Sequence, residues 1–236
     1  MKEKAVSFHK EAVEALDVGL RRYMLNVFFQ MSLGLIVTAV VGLGISNSTT
    51  FMTLLFSTSL VPLALFVVPF GISIYLTARI SSISSNRART LFLVFASCLG
   101  ASLSSIFLVY TDASIVYTFF VTSSMFLSMV VYGYVTEKDL TGVGSFLIMG
   151  LFGVIIAGLV NLFTRSSAAD FVISVIGVVV FTGLTAYDAQ VIKSYYLNSD
   201  SPEVNEKKAI FGALRLYLDF INLFLYALRF LGNRRS

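Results

Sequence analysis

Tryptophan is absent from this chain, histidine and cysteine occur once each, and only 13% of the 236 residues carry a charge. Each shortage excludes something. The single cysteine, Cys98, lies in an apolar segment, so no intramolecular disulfide can form. His9 is a lone donor in the N-terminal tail, and metal centres need several donors together, so no metal ion or other cofactor is assigned. No apolar run contains a histidine, which excludes an intramembrane Ser–His hydrolase. Without tryptophan, any interfacial belt must be built from tyrosine and cationic residues. The scarcity of charge is paired with 57% hydrophobic residues and a mean hydropathy of +0.86, well above the apolar share of about 45–50% found in soluble domains. The solvent is a lipid bilayer. The net charge of +4 does not indicate nucleic acid, because the basic residues flank apolar runs rather than forming a polar face with interleaved aromatics.

Seven apolar runs follow one another: Tyr23–Ile45, Thr53–Thr77, Leu91–Tyr110, Ile115–Val135, Phe146–Phe163, Phe171–Ile192 and Ala209–Leu231. At about 1.5 Å per residue each reaches across most or all of a hydrocarbon core about 30 Å thick. Continuous, non-alternating apolarity excludes spanning strands, because only helices or closed barrels satisfy their backbone in lipid. The expected fold is therefore all-α, a seven-helix membrane bundle over 23–232. It is flanked by a cytosolic tail over 1–22, expected as a short interfacial helix, and a C-terminal tail over 233–236. Four acids in the N-terminal tail (Glu3, Glu11, Glu14, Asp17) exclude a transit peptide, and the late start of the first run argues for a retained helix.

Charge placement orients the bundle. With the N-terminus inside, the cytosolic side receives Lys2, Lys4, Lys10, Arg21, Arg22, Arg79, Arg87, Arg89, Lys138, Lys193, Lys207 and Lys208, and the outer loops receive only Arg165. The last run breaks the pattern. If it spans fully, Arg229, Arg234 and Arg235 emerge outside; if it re-enters, they return to the cytosol. Glycines recur along the runs (Gly34, Gly42, Gly44, Gly100, Gly150, Gly153, Gly158), where they allow close helix packing. Pro62 and Pro69 each delete a backbone donor in the second run and can bend it, which makes that helix the candidate mobile element.

Two carboxylates stand inside the last two runs. Asp188 lies about 25 Å along the sixth helix and Asp219 about 15 Å along the seventh, which returns in the opposite sense, so the two share a depth if the helices are neighbours. A membrane-embedded acid faces a partner, water or an ion. Two acids together in low dielectric cannot both ionise cheaply and tend to share a proton. Arg215, four residues before Asp219, offers an in-helix ion pair. Arg79, closing the second helix, is the other cation expected to reach Asp188. An arginine partner and a shared proton exclude each other at one carboxyl, so the choice between them is a switch.

At these positions the chain resembles the transmembrane Bax inhibitor motif proteins. The resemblance rests on AYDAQVIK (Ala186–Lys193) and LYLDFINLFLYALRFLG (Leu216–Gly232). It implies a central last helix wrapped by the others, a pH-sensitive leak that passes calcium, and a di-aspartyl sensor at Asp188 and Asp219. It also implies an arginine latch from the second helix, here Arg79. Arg215 departs from the small or polar residue that the resemblance leads one to expect. Some bacterial relatives instead modulate a membrane-bound protease or a stress or cell-death response, so the partners implied are calcium ion, lipid bilayer and such a protease. The chemistry of two acids on adjacent helices also suits an intramembrane aspartyl protease. Asp219, however, sits in Leu-Tyr-Leu-Asp rather than Gly-x-Gly-Asp, and no Pro-Ala-Leu follows it. The expected protein is not an enzyme.

Overall fold

The computed structural model describes residues 2–56 and 60–235. Among them the chain forms nine helices: α1 (Lys2–Ser46), α2 (Thr49–Phe56), α3 (Leu60–Arg79), α4 (Ser85–Leu103), α5 (Ile106–Val109), α6 (Asp112–Val135), α7 (Thr141–Thr164), α8 (Ser167–Ser194) and α9 (Pro202–Leu231). Six spans are long and apolar enough to cross a membrane, one of them running through α4 and α5, and α3 adds a shorter apolar helix. This is a multi-pass membrane protein. Pairing outside helices is confined, among the described residues, to one antiparallel bridge between Tyr110 and Arg234.

Helix limits fall outside the apolar runs because the polar flanks carry their own start signals. Ser84, Thr111, Ser166 and Ser201 each sit in extended backbone and accept from an N–H three residues on, satisfying donors that the first turn leaves free. The N-terminal tail, expected as a separate interfacial helix, instead continues unbroken into the first span, since no proline interrupts residues 2–46. His9 belongs to that segment, and its side chain is outside the described residues. The second run is divided into α2 and α3. Pro69 lies inside α3, and the side chain of Pro62 is outside the described residues. The third run is broken at Ser104 and Ser105, whose hydroxyls turn back onto the carbonyls of Ala101 and Ser102.

The last helix is the axis. In α9, 67% of the most apolar window is buried within the protein, against 11% in α7. It packs against α8, α1, α6, α4 and α3. Tyr217 at its middle is fully buried between the rings of Phe92 and Phe95, both meeting it edge-on at 5.6 Å. Its hydroxyl donates to Thr38 Oγ1 at 2.6 Å, and Thr38 in turn faces the carbonyls of Gly34 and Ala96, each at 3.0 Å. A polar atom at the centre of the bundle is thus fully satisfied through α1 and α4.

The two ends of the bundle are different. At one end lie the α3–α4, α6–α7 and α8–α9 connections. There Glu203 accepts from the Ser85 backbone N–H at 2.7 Å and hydroxyl at 2.8 Å, Arg89 pairs with Glu206, and Tyr23 of α1 meets the ring of Tyr196. At the opposite end lie the α1–α2 and α7–α8 connections and the C-terminus. The continuous α9, 30 residues or about 45 Å long, carries the chain fully across, so the re-entrant alternative is not what forms. The three arginines that broke the charge pattern face two acids where they emerge. Arg235 bonds Asp112 at 2.7 Å, and Arg229 and Arg234 approach Asp170 at 3.8 and 3.9 Å. Asp112 and Asp170 stand in the first turns of α6 and α8, where a carboxylate also suits the helix dipole.

Candidate functional site

The inner half of α8 is fixed before its acid is placed. Gln190 donates to the Lys138 carbonyl at 2.8 Å and accepts from the Leu140 N–H at 2.9 Å, tying the α6–α7 connection to α8. Lys193 donates to the Tyr134 carbonyl at 2.8 Å and lies over the Tyr134 ring. On the other side Gly212 of α9 lets the backbone come up against Ile192. One turn from these contacts, Asp188 points from α8 into the interface with α9, 7% exposed, opposite Asp219 at 5%.

Arg215 crosses between the helices. Its Nε donates to Asp188 Oδ2 at 3.0 Å and its Nη2 to Asp188 Oδ1 at 2.5 Å, the parallel pair of bonds that a planar guanidinium makes to a carboxylate. The remaining Nη1 donates to Tyr195 Oη at 2.8 Å. The in-helix pair with Asp219 does not form. An arginine placed four residues before an acid has the weaker orientation for an in-helix pair, whereas Asp188 of α8 and Tyr195 just beyond its end together offer three acceptors. Asp219 is left facing both Asp188 and Arg215, within electrostatic reach of each. Its Oδ2 is buried with no hydrogen-bond partner among the described residues. One positive charge therefore faces two carboxyls, and charge balance asks for one further proton or one cation at the pair.

A cleft of about 390 Å³ reaches this cluster between α7, α8 and α9, lined by Leu184, Asp188, Arg215, Asp219, Asn222 and Tyr226 among others. A second cleft of about 510 Å³ lies between α3 and α9 and reaches Arg215 from the other side, past Ser73, Thr77 and Ala78. Arg215 and Leu218 line both clefts. Arg79, next to Ala78, is exposed, and among the described residues no ion pair includes it. The structure thus joins Asp188, Asp219 and Arg215 and leaves Arg79 apart. Tyr195, which anchors Arg215, was not singled out in the sequence. Its only signal there is a Tyr-Tyr pair just beyond Lys193. Asn222, one turn past Asp219, was equally silent because its amide is held locally, donating to the Leu218 carbonyl at 2.8 Å.

The chain is similar to known bacterial membrane proteins. The family model described as "Inhibitor of apoptosis-promoting Bax1" matches residues 20–236. An uncharacterized protein of Borreliella burgdorferi is 49% identical over 216 residues, 91% of this chain and 93% of that one. An uncharacterized protein of Rickettsia prowazekii is 48% identical over 223 residues, covering 94% of each. The inner membrane protein YbhL of Escherichia coli is 44% identical over 219 residues, 92% of this chain and 94% of YbhL.

Proposed function

The chain belongs to the Bax1-inhibitor family of membrane proteins, and on that premise we propose that it is a pH-sensitive leak channel passing calcium, with Asp188 and Asp219 as its proton sensor. The observation that carries this reading is the buried pair of acids served by a single arginine. The site holds one charge too few for both carboxylates, and a proton or a calcium ion supplies what is missing. Protonation and cation passage then compete at one place, which is how a leak becomes pH-sensitive. Arg215 takes the latch role that the second-helix arginine was expected to fill. It pins Asp188 from within α9, and because it lines both clefts, its movement is the step that would join them.

A proteolytic dyad fits less well. Aspartyl proteases need both carboxyls free to share a proton around a water, and here one of them is committed to a guanidinium through two hydrogen bonds.

Purified protein in liposomes is expected to release calcium with a rate that changes between about pH 6 and pH 8, because a proton and a calcium ion compete for the same pair of acids. Asp188→Asn and Asp219→Asn should each flatten that dependence, while Arg79→Ala should leave its midpoint in place. A pH profile unchanged in both aspartate variants removes the pair from the mechanism. Absence of flux at any pH rejects the channel and leaves a regulatory membrane protein, for which association with a membrane-bound protease becomes the assay.

The orientation belongs to the same proposal. The basic end is cytosolic by the charge rule, the opposite end external, and the membrane is the inner membrane of a bacterial cell. With Cys98 replaced by serine, Ser199→Cys and Asn47→Cys should react with an impermeant thiol reagent from opposite sides of inverted and right-side-out vesicles. Reaction of both from one side overturns the assignment.

A further inference from the structure

The buried face of α6 changes character along its length. From the basic end it reads Gly133, Val130, Phe126, and then, toward the opposite end, Thr122, Thr118 and Ser114 at a spacing of four. Thr118 and Thr122 are fully buried, and among the described residues neither hydroxyl has a hydrogen-bond partner. Thr182 Oγ1 of α8 and Tyr23 Oη of α1 are also buried without a partner among the described residues. Other hydroxyls in the bundle turn back to the carbonyl four residues earlier, as Thr185 does to Phe181 at 2.7 Å, Ser174 to Asp170 at 2.7 Å and Ser97 to Leu93 at 2.8 Å. A buried hydroxyl left unpaired is costly, and a native one calls for a water or an ion. Two such hydroxyls, one turn apart, sit on the face that packs against α8 and α9. Asp219, whose Oδ2 is likewise unpartnered among the described residues, directly precedes Phe220 on α9, and the Phe220 ring meets Phe126 at 5.4 Å.

The far end of this stripe is covered. Ser114 accepts from the Asn233 N–H at 2.8 Å, and the segment Asn233–Arg235 pairs with Val109–Thr111 through Thr111 N–H to Asn233 O at 3.0 Å and Arg235 N–H to Val109 O at 2.9 Å. Arg235 adds bonds to the Tyr110 carbonyl and to Asp112.

We infer that Ser114, Thr118 and Thr122 line a hydrated seam between α6, α8 and α9 that forms the outer leg of the cation route to Asp219, with the C-terminal segment strapped across its mouth. The inference rests on the leak reading for its function but not for its hydration. Hydroxyl oxygens suit a hard cation that is shedding water, and they carry no charge that would hold it there. The bulky Phe126 ends the stripe at the depth of Phe220, so the seam is closed at its inner end by the aromatic pair.

The test uses the full chain in liposomes with Cys98 replaced by serine. Thr118→Cys, Thr122→Cys and, as a dry control, Val154→Cys are treated with a small cationic methanethiosulfonate and read by mass spectrometry. The thiolate reacts only where water reaches it, so the two threonine positions should label at least about tenfold faster than position 154, and Ser114→Ala with Arg235→Gln should speed them further. Labelling no faster than position 154 overturns the seam. Separately, Thr118→Val with Thr122→Val keeps shape and removes both hydroxyls, and calcium flux should fall about tenfold with its pH midpoint unmoved. Unchanged flux in that variant removes the seam from the permeation route. A wild-type protein without flux sinks the leak reading, while the labelling result still decides whether the seam is wet.

Discussion

Arg215→Gln is expected to destabilise the protein by about 3–5 kcal/mol, the usual consequence of removing one partner from a buried ion pair. The expectation follows from what would be left behind. Asp188 has a side chain only 10% exposed, and Arg215 supplies both of its cationic hydrogen bonds. Without the guanidinium, two carboxyls confront each other in a protein interior, and Tyr195 Oη loses the donor that holds it. The pair as a whole need not stabilise the fold, because desolvation offsets much of its attraction. Asp188→Asn combined with Arg215→Gln should therefore recover most of the loss, and the difference between the double variant and the sum of the singles measures the coupling. Unfolding followed by far-UV circular dichroism in mixed micelles of dodecyl maltoside and dodecyl sulfate reads both quantities. A loss within about 0.5 kcal/mol in Arg215→Gln would mean that the guanidinium reaches water instead of Asp188.

The same residue shows where the sequence stops being readable. That an arginine and two aspartates stood in the last two helices was evident, because charge inside an apolar run is conspicuous. The partner was not. Four-residue spacing always suggests the in-helix pair, whereas the pair that forms depends on how α8 and α9 are rotated, on Gly212 closing against Ile192, and on Tyr195 standing where the third N–H arrives. The seven apolar runs were legible for a simpler reason: length and apolarity are summed over many residues, so local errors cancel. The central place of the last helix came instead from the resemblance carried by Ala186–Lys193 and Leu216–Gly232. Helix ends were read short because polar first turns belong to the helix once Ser84, Thr111, Ser166 or Ser201 caps them. The side taken by Arg229, Arg234 and Arg235 ran against the charge rule because that rule counts cations alone, and Asp170 and Asp112 come from elements distant in sequence.

Glycine was the least legible class, and it supplies the second large expected effect: Gly133→Ala should destabilise by about 1–3 kcal/mol or more, the range for overpacking a filled interior, whereas Gly153→Ala should be neutral or stabilising by up to about 1 kcal/mol through helix propensity. Both glycines lie in membrane helices, and nothing in the local sequence tells them apart. In the folded chain a β-carbon on Gly133 would run into the backbone of Ala186, carbonyl included, while one on Gly153 meets nothing within 4 Å. Backbone cannot move aside as a side-chain tip can. Gly44 and Gly158 behave like Gly153, so the packing role expected for every glycine holds only for some, Gly100 against Thr38 among them. The Gly133 contact also reaches the site. Ala186 precedes Asp188 by two residues, so forcing α6 away from α8 displaces the helix that presents the acid. Gly133→Ala is accordingly expected to alter the pH response of calcium flux as well as stability, and Gly153→Ala to leave the pH response unchanged. Equal stability of the two variants in the same micelle titration would show that α6 and α8 do not approach this closely in the membrane.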